Sequence, residues 1–288
     1  MAKIVAGIGS SHVPSIGRAY DQKKQTDPAW QPLFEGYEPV KRWLAEEVKA
    51  DVVILVYNDH GTEFFLDCYP TFALGVADSY KVADEGYGKR PLPDFPGDAA
   101  FSEHLANSLV ADEFDLTLCQ EMALDHGFLT AMPLLWSHEE GDWPVKVVPL
   151  LVNVIQHPLP TGQRCYKLGQ AIRRAVDAYP EDIRVAVVGT GGLSHQLNGE
   201  RFGHINEEWD RQWLERIQTE PEALAALSHK EVMTVAGAEG GEVIMWFVMR
   251  GALDAQVKQI HSFYYAPMTT GMTVLALENA GDRLREVS

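Results

Sequence analysis

Residues 51–61 read DVVILVYNDHG, and no other stretch constrains the fold as tightly. The run 52–56 is unbroken, apolar and rich in β-branched residues, the pattern of a strand covered on both faces in a parallel sheet. It stops abruptly on Asn58, Asp59, His60 and Gly61. Open α/β sheets place their chemistry just beyond the carboxyl ends of such strands. Two further strands repeat the arrangement. Residues 3–8 run into Ser10, Ser11 and His12, and residues 185–188 run into Gly189-Thr190-Gly191-Gly192, followed by Ser194 and His195. Three buried strands therefore each deliver a histidine to what is expected to be one sheet edge.

The rest of the chain supplies the elements such a sheet needs. Val40, Trp43, Leu44 and Val48 follow helical spacing, with Pro39 read in the first turn, and residues 20–32 before them carry no periodicity and read as a surface loop. Strands are predicted at 68–76, where Pro70 confines the start to an edge, at 116–118, 145–154, 260–265 and 272–277. Helices are predicted at 98–110, 128–136, 164–178 and 243–251, with another marked by Trp209, Trp213, Leu214 and Ile217. Residues 78–97 form a glycine- and proline-rich loop long enough to be functional. There is no internal repeat, low-complexity tract or linker, so one α/β domain over residues 1–288 is the expected organisation.

Composition narrows the function. With 24 basic against 41 acidic residues the net charge is −17, which argues against nucleic acid and anionic membrane as partners. No stretch resembles a signal peptide, and no apolar run reaches the length that spans a bilayer. Cys68, Cys119 and Cys165 are widely spaced and odd in number, as in a reduced cytoplasmic protein.

Of the ten histidines, His104, His138, His157, His204, His229 and His261 have ordinary settings. His12, His60, His126 and His195 each follow an apolar segment at a sheet edge or loop. Two imidazoles and one carboxylate on one face make the ligand set of non-haem Fe(II) oxygenases. Glu242, in a Gly-Gly-Glu turn heading an apolar helix, is the first candidate for the acid, and Glu239 is the second; an acid favoured by the helix dipole is the alternative for either. The glycine cluster at 189–192 matches neither dinucleotide nor Walker patterns and reads as a device that aims His195 inward. Asp59 and Asp125, each beside a histidine, either orient it or close a turn.

Taken together, several segments resemble the class III extradiol ring-cleavage dioxygenases, most closely the catalytic (β) subunits of protocatechuate 4,5-dioxygenases. They are Ser10-Ser11-His12-Val13-Pro14, residues 53–60 ending Asn58-Asp59-His60, Asp84-Glu85-Gly86, Asp125-His126-Gly127, residues 189–196, and residues 242–251 with their MWxxMRG. The resemblance runs from the first strand to Phe263-Tyr264. It implies an α/β domain around a mixed central sheet flanked by helices. It implies Fe(II) held by His12, His60 and Glu242, with His195 as the acid–base group and His126 as a second active-site histidine. Thr269, with Thr270, falls where the family holds the substrate carboxylate, although threonine stands where serine is expected; Asp59 is counted with them on the substrate side. The implied reaction is extradiol cleavage of a catecholic acid by O2, protocatechuate to 4-carboxy-2-hydroxymuconate semialdehyde, with gallate and its methyl ether as near competitors. A Zn(II) hydrolase or a non-catalytic relative on the same fold are the other classes. The polar tail 278–288 is too short for a lid. The resemblance therefore implies a separate small, mostly helical α subunit, in an αβ unit that dimerises, unless the 78–97 loop closes the site.

Overall fold

The computed structural model describes residues 1–138 and 141–279; of the tail read as too short for a lid, residues 280–288 lie outside the described residues. Eleven strands are described: β1 (Lys3–Ser10), β2 (Val52–Tyr57), β3 (Phe72–Gly75), β4 (Ser79–Val82), β5 (Phe95–Pro96), β6 (Thr117–Cys119), β7 (Ala123–Leu124), β8 (Lys146–Val152), β9 (Arg184–Thr190), β10 (Val257–Tyr265) and β11 (Met272–Asn279). Eight of them form one mixed sheet in the order β10-β11-β1-β9-β2-β8-β3-β6, and β5-β4-β7 form a small separate one. The centre, β1-β9-β2-β8, is parallel throughout. The expected α/β architecture with a mixed central sheet is what the chain adopts.

The unbroken apolar runs follow from coverage on both faces. Along β2, Val52, Ile54 and Val56 enter one core cluster, and Val53, Leu55 and Tyr57 enter the other. The first cluster packs under α3 (Ala99–Ala111), α6 (Gly162–Ala178), α7 (Glu207–Thr219) and α10 (Met245–Ala252). The second packs under α1 (Pro14–Asp21), α2 (Gln31–Trp43), α4 (His126–Leu129) and α5 (Ala131–Leu135). Each aliphatic side chain so buried contributes about 1.5–3 kcal/mol relative to exposure. A polar residue on either face of β2 would therefore be costly.

The position of α10 is fixed from two sides. A Cβ on Gly251 would lie 2.1 Å from the Tyr166 carbonyl oxygen of α6, so only glycine lets the two helices approach this closely. Arg250, 1% exposed, donates to the carbonyls of Ile217, Gln218, Asp254 and Ala255 and ties α10 to the end of α7. This gives the Arg-Gly pair of the MWxxMRG segment a purely structural reason.

Several local expectations are corrected. Residues 14–21 are helical, not part of a long connection, and α2 begins at Gln31, which puts Pro39 inside the helix. The interior proline removes the donor for the carbonyl of Glu35, and Glu35 stands on the exposed face where water can replace it. The 78–97 loop contains β4 and β5, and the segment predicted at 128–136 divides into α4 and α5. Two short helices, α8 (Pro221–Ala225) and α9 (His229–Ala236), are additional to those expected.

Candidate metal centre

β1, β9 and β2 are neighbours, and their carboxyl ends lie level, with Ser10 opposite Thr190 and Val56 opposite Gly189. The loops leaving them bring His12, His60 and His195 to one edge. Glu242 arrives from the other direction, in a 3-10 turn (Glu239–Ile244) that leads into α10. One ligand-type atom from each of His12, His60 and Glu242 falls within 4.8 Å of the others, close enough for a single ion to reach all three.

The hydrogen bonds around these groups assign the ring nitrogens. Thr190 Oγ1 donates to the Val56 carbonyl at 3.0 Å, so toward His12 Nδ1, also at 3.0 Å, it acts as acceptor. His12 therefore carries its proton on Nδ1 and turns a bare Nε2 toward Glu242 Oε2, 3.2 Å away. His60 is set in the same way: Nδ1 lies 2.9 Å from Asp125 Oδ2, which also accepts the His60 backbone N–H at 2.7 Å. Its Nε2 faces Asn58 Nδ2 at 3.1 Å. Burial first, then the neighbouring His12, push the His60 imidazole down to about 4, which keeps it in the neutral form that binds metals. Burial alone would raise the Glu242 carboxyl, but His12, His195 and His60 hold it far below the usual carboxylate range. Oε2 of Glu242 also accepts the Gly192 N–H at 3.1 Å. Gly191, with φ +125°, carries the backbone past Glu242 in a conformation that only glycine adopts freely.

His195 is 5% exposed and donates from Nδ1 to the Leu193 carbonyl at 2.9 Å; its Nε2 is left free 4.0 Å from Glu242 Oε2. An isolated antiparallel bridge sets His195 opposite Thr270, which is buried, with Thr269 half-buried beside it. His126, the first residue of α4, stacks on His60 with ring centroids 3.8 Å apart. The carboxylate of Glu85 binds both its Nδ1 (2.5 Å) and its backbone N–H (3.1 Å), leaving Nε2 free. A cleft of about 470 Å³ opens here, lined by Pro14, Thr62, Phe65 and Tyr87 as well as by His60 and His126. That size suits a small aromatic molecule.

The remaining sequence expectations divide. Asp59 does not present its carboxylate to the cleft: both oxygens are taken by the backbone N–H groups of Gly61, Thr62, Glu63 and Phe64, so it closes the turn after β2. Asp125 is the one that orients its histidine neighbour in space, His60. Glu239 lies one 3-10 turn before Glu242 and binds the Leu197 N–H and the Asn198 side chain, farther along the loop that Glu242 holds at Gly192. A second grouping, His60, Asp125 and His126, is the support of the first, since the Asp125 carboxylate is spent on His60 and Gly127. His104, His204 and His261 bond backbone carbonyls elsewhere. Residue type and spacing alone do not mark Thr190 or Glu85 as partners of the histidines. The hydroxyl inside the glycine cluster was a readable signal for the first, while nothing local ties Glu85 to a histidine 41 positions on.

The family described as "Catalytic LigB subunit of aromatic ring-opening dioxygenase" matches residues 6–276. A gallate dioxygenase of Pseudomonas putida is 50% identical over 203 residues, covering 70% of this chain; the chain spans only 59% of that protein's length. A 2,3-dihydroxyphenylpropionate/2,3-dihydroxicinnamic acid 1,2-dioxygenase of Comamonas testosteroni is 26% identical, over 88% of this chain and 89% of that protein. Among solved structures, an uncharacterized protein from Escherichia coli K12 covers 95% of this chain and 99% of its own, with a TM-score of 0.53 and 14% identity, a likeness of fold alone.

Proposed function

This chain belongs to the family of catalytic LigB subunits of aromatic ring-opening dioxygenases, and from that premise we propose that it opens the ring of a carboxylated polyphenol, gallate first, by extradiol cleavage with O2. The protocatechuate reading expected from the sequence gives way to gallate because the relative at 50% identity is a gallate dioxygenase. The observation that carries the reaction type is a free imidazole nitrogen, His195 Nε2, 4.0 Å from the carboxylate of a two-histidine, one-carboxylate set.

His12, His60 and Glu242 would hold Fe(II), which when bound would supply Lewis-acid and redox chemistry for a vicinal diol and O2. His195, its Nδ1–H fixed on the Leu193 carbonyl, takes a phenolic proton at Nε2 and later returns one. His126, backed by Glu85, offers its Nε2 to a ring hydroxyl. Thr269 and Thr270, across from His195, hydrogen-bond the ring carboxylate. Asp59 holds the turn that presents His60.

The mouth of the cleft supports the expected partner. Phe65, Leu66 and Tyr87 are exposed on one side, and Leu197, Phe202 and Met268 are exposed on the loops next to His195 and Thr269. Apolar side chains left exposed beside a polar site fit a surface that another chain covers. A small helical α subunit, in an αβ unit that dimerises, fits that role and would exclude water from the reacting groups.

The test is anaerobic Fe(II) loading followed by O2 uptake with gallate, 3-O-methylgallate, protocatechuate and unsubstituted catechol, with and without a co-expressed small subunit. The expected result is stoichiometric O2 consumption, fastest with gallate. No uptake with any diol, together with hydrolytic activity of the Zn(II)-loaded protein, would overturn the reading.

A further inference from the structure

Asp210 lies in the first turn of α7, where Glu207 and Glu208 are also acidic. The bland explanation is an acid favoured by the helix dipole, and it fits those two exposed neighbours. It does not fit Asp210, which is fully buried. Its oxygens are taken by groups outside the helix. Oδ1 accepts the Ser194 N–H at 2.8 Å, and Oδ2 accepts the Ser194 hydroxyl at 2.7 Å and the Tyr264 hydroxyl at 2.8 Å. Ser194 Oγ in turn accepts the Asn206 N–H at 2.7 Å, so its own proton is committed to Asp210. On the other side, a Cβ at Gly271 would lie 2.3 Å from Oδ2, so the backbone following Thr270 runs directly against the carboxylate.

Those contacts join two segments that nothing in the sequence brings together. Ser194 precedes His195, and Gly271 follows Thr270. Gly271 N–H donates to the Ser194 carbonyl within the bridge between His195 and Thr270, and Leu193 N–H donates to the Gly271 carbonyl beside it, each at 3.0 Å. The Leu193 carbonyl that holds His195 Nδ1 belongs to the same short stretch.

We propose that Asp210 is a positioning residue for the reaction: it clamps residues 193–195 against residues 270–271 and so sets His195 Nε2 and the Thr269–Thr270 hydroxyls at a fixed spacing. The inference rests on the proposed function in one respect, that His195 exchanges the proton and the threonines hold the substrate. A carboxylate suits the position because it alone can accept from three donors at once. Asparagine would keep Oδ1 for the Ser194 N–H but set an NH2 group against two hydroxyl donors. Tyr264 could rotate to accept. Ser194 Oγ, already accepting from Asn206, would lose its acceptor.

The experiment compares the parent chain, Asp210→Asn, Tyr264→Phe and, as a control on the same helix turn, Glu208→Gln. The His195 Nδ1–H resonance is followed in the metal-free proteins, and metal content, kcat and KM are measured in the iron-loaded ones. In Asp210→Asn the resonance should shift or be lost to exchange, with bound iron unchanged and kcat lowered roughly 10- to 100-fold, the scale of a misplaced reacting group. Tyr264→Phe leaves both Ser194 bonds and should raise KM for gallate but not for unsubstituted catechol. Glu208→Gln should match the parent throughout. An unmoved resonance with unchanged kcat in Asp210→Asn overturns the proposal. If that variant does not fold, a Tyr264→Phe protein whose KM ratio equals the parent's overturns it instead. Should the parent itself turn over no diol, the proposed function fails, and the resonance still decides whether Asp210 fixes His195.

Discussion

Replacing Thr190 by valine changes one atom's chemistry and almost no volume, yet it should weaken metal binding. In the structure the Thr190 hydroxyl donates to Val56 and accepts from His12 Nδ1–H. Without it, the Nδ1–H of a histidine only 3% exposed has no acceptor at 3.0 Å. An orphaned buried donor costs about 1–3 kcal/mol. His12 can avoid that cost by moving its proton to Nε2, where Glu242 Oε2 accepts it at 3.2 Å. That tautomer is comfortable in the metal-free protein but cannot ligate a metal through Nε2. The penalty therefore falls on binding rather than on folding: about 1–3 kcal/mol corresponds to a roughly 5- to 150-fold rise in metal Kd. The assay is chelator competition on Thr190→Val, Thr190→Ser and the parent, with thermal unfolding of each metal-free protein alongside. Serine retains the hydroxyl and should stay within a few-fold of the parent. If valine binds as tightly as the parent, or serine loses as much as valine, the tautomer reasoning is wrong.

Three further outcomes are expected. His195→Gln should retain stoichiometric iron and lose turnover roughly 10²–10⁴-fold, the usual worth of acid–base catalysis, and loss of the iron instead would make it a ligand. Thr269→Val should depress kcat/KM for gallate far more than for unsubstituted catechol; equal losses on both would leave Thr269 a structural residue. Gly251→Ala forces a methyl to 2.1 Å from the Tyr166 carbonyl oxygen and should destabilise by about 1–3 kcal/mol, read as a lowered denaturation midpoint, while a midpoint unchanged from the parent would mean the helices separate freely.

What was legible in the sequence is what the chain encodes locally. Strands buried on both faces must be continuously apolar, so β1, β2 and β9 announced themselves, and each carried its histidine just past the end. Their adjacency in the sheet is a matter of topology, and three similar strand ends were only a hint of it. The carboxylate could not be separated by pattern because Glu239 and Glu242 are three residues apart in a 3-10 turn, which has about three residues per turn and points both toward the same loop. Only distance along that loop divides them, Glu242 at Gly192 and Glu239 at Leu197. Glu85 acts on a histidine 41 positions away and its neighbours in sequence carry no trace of it, whereas Thr190 has the glycine cluster around it as a signal and Asp210 is masked by the ordinary acids of its helix turn.

The ligand set also dictates when a metal can be taken up. His12 follows β1, whereas Glu242 and the pairing partner β11 lie far along the chain from it. Strand β1 lies between β9 and β11, so it has no permanent neighbour until most of the polypeptide has been made. Joining such distant segments carries a loop-closure cost that only the assembled core repays. A site assembled from segments this far apart would differ from a small zinc finger, where the ion nucleates the fold. An ion at this site would then be held only by the assembled sheet and would be lost once β1 leaves it. Bound metal per chain thus becomes a gauge of global integrity.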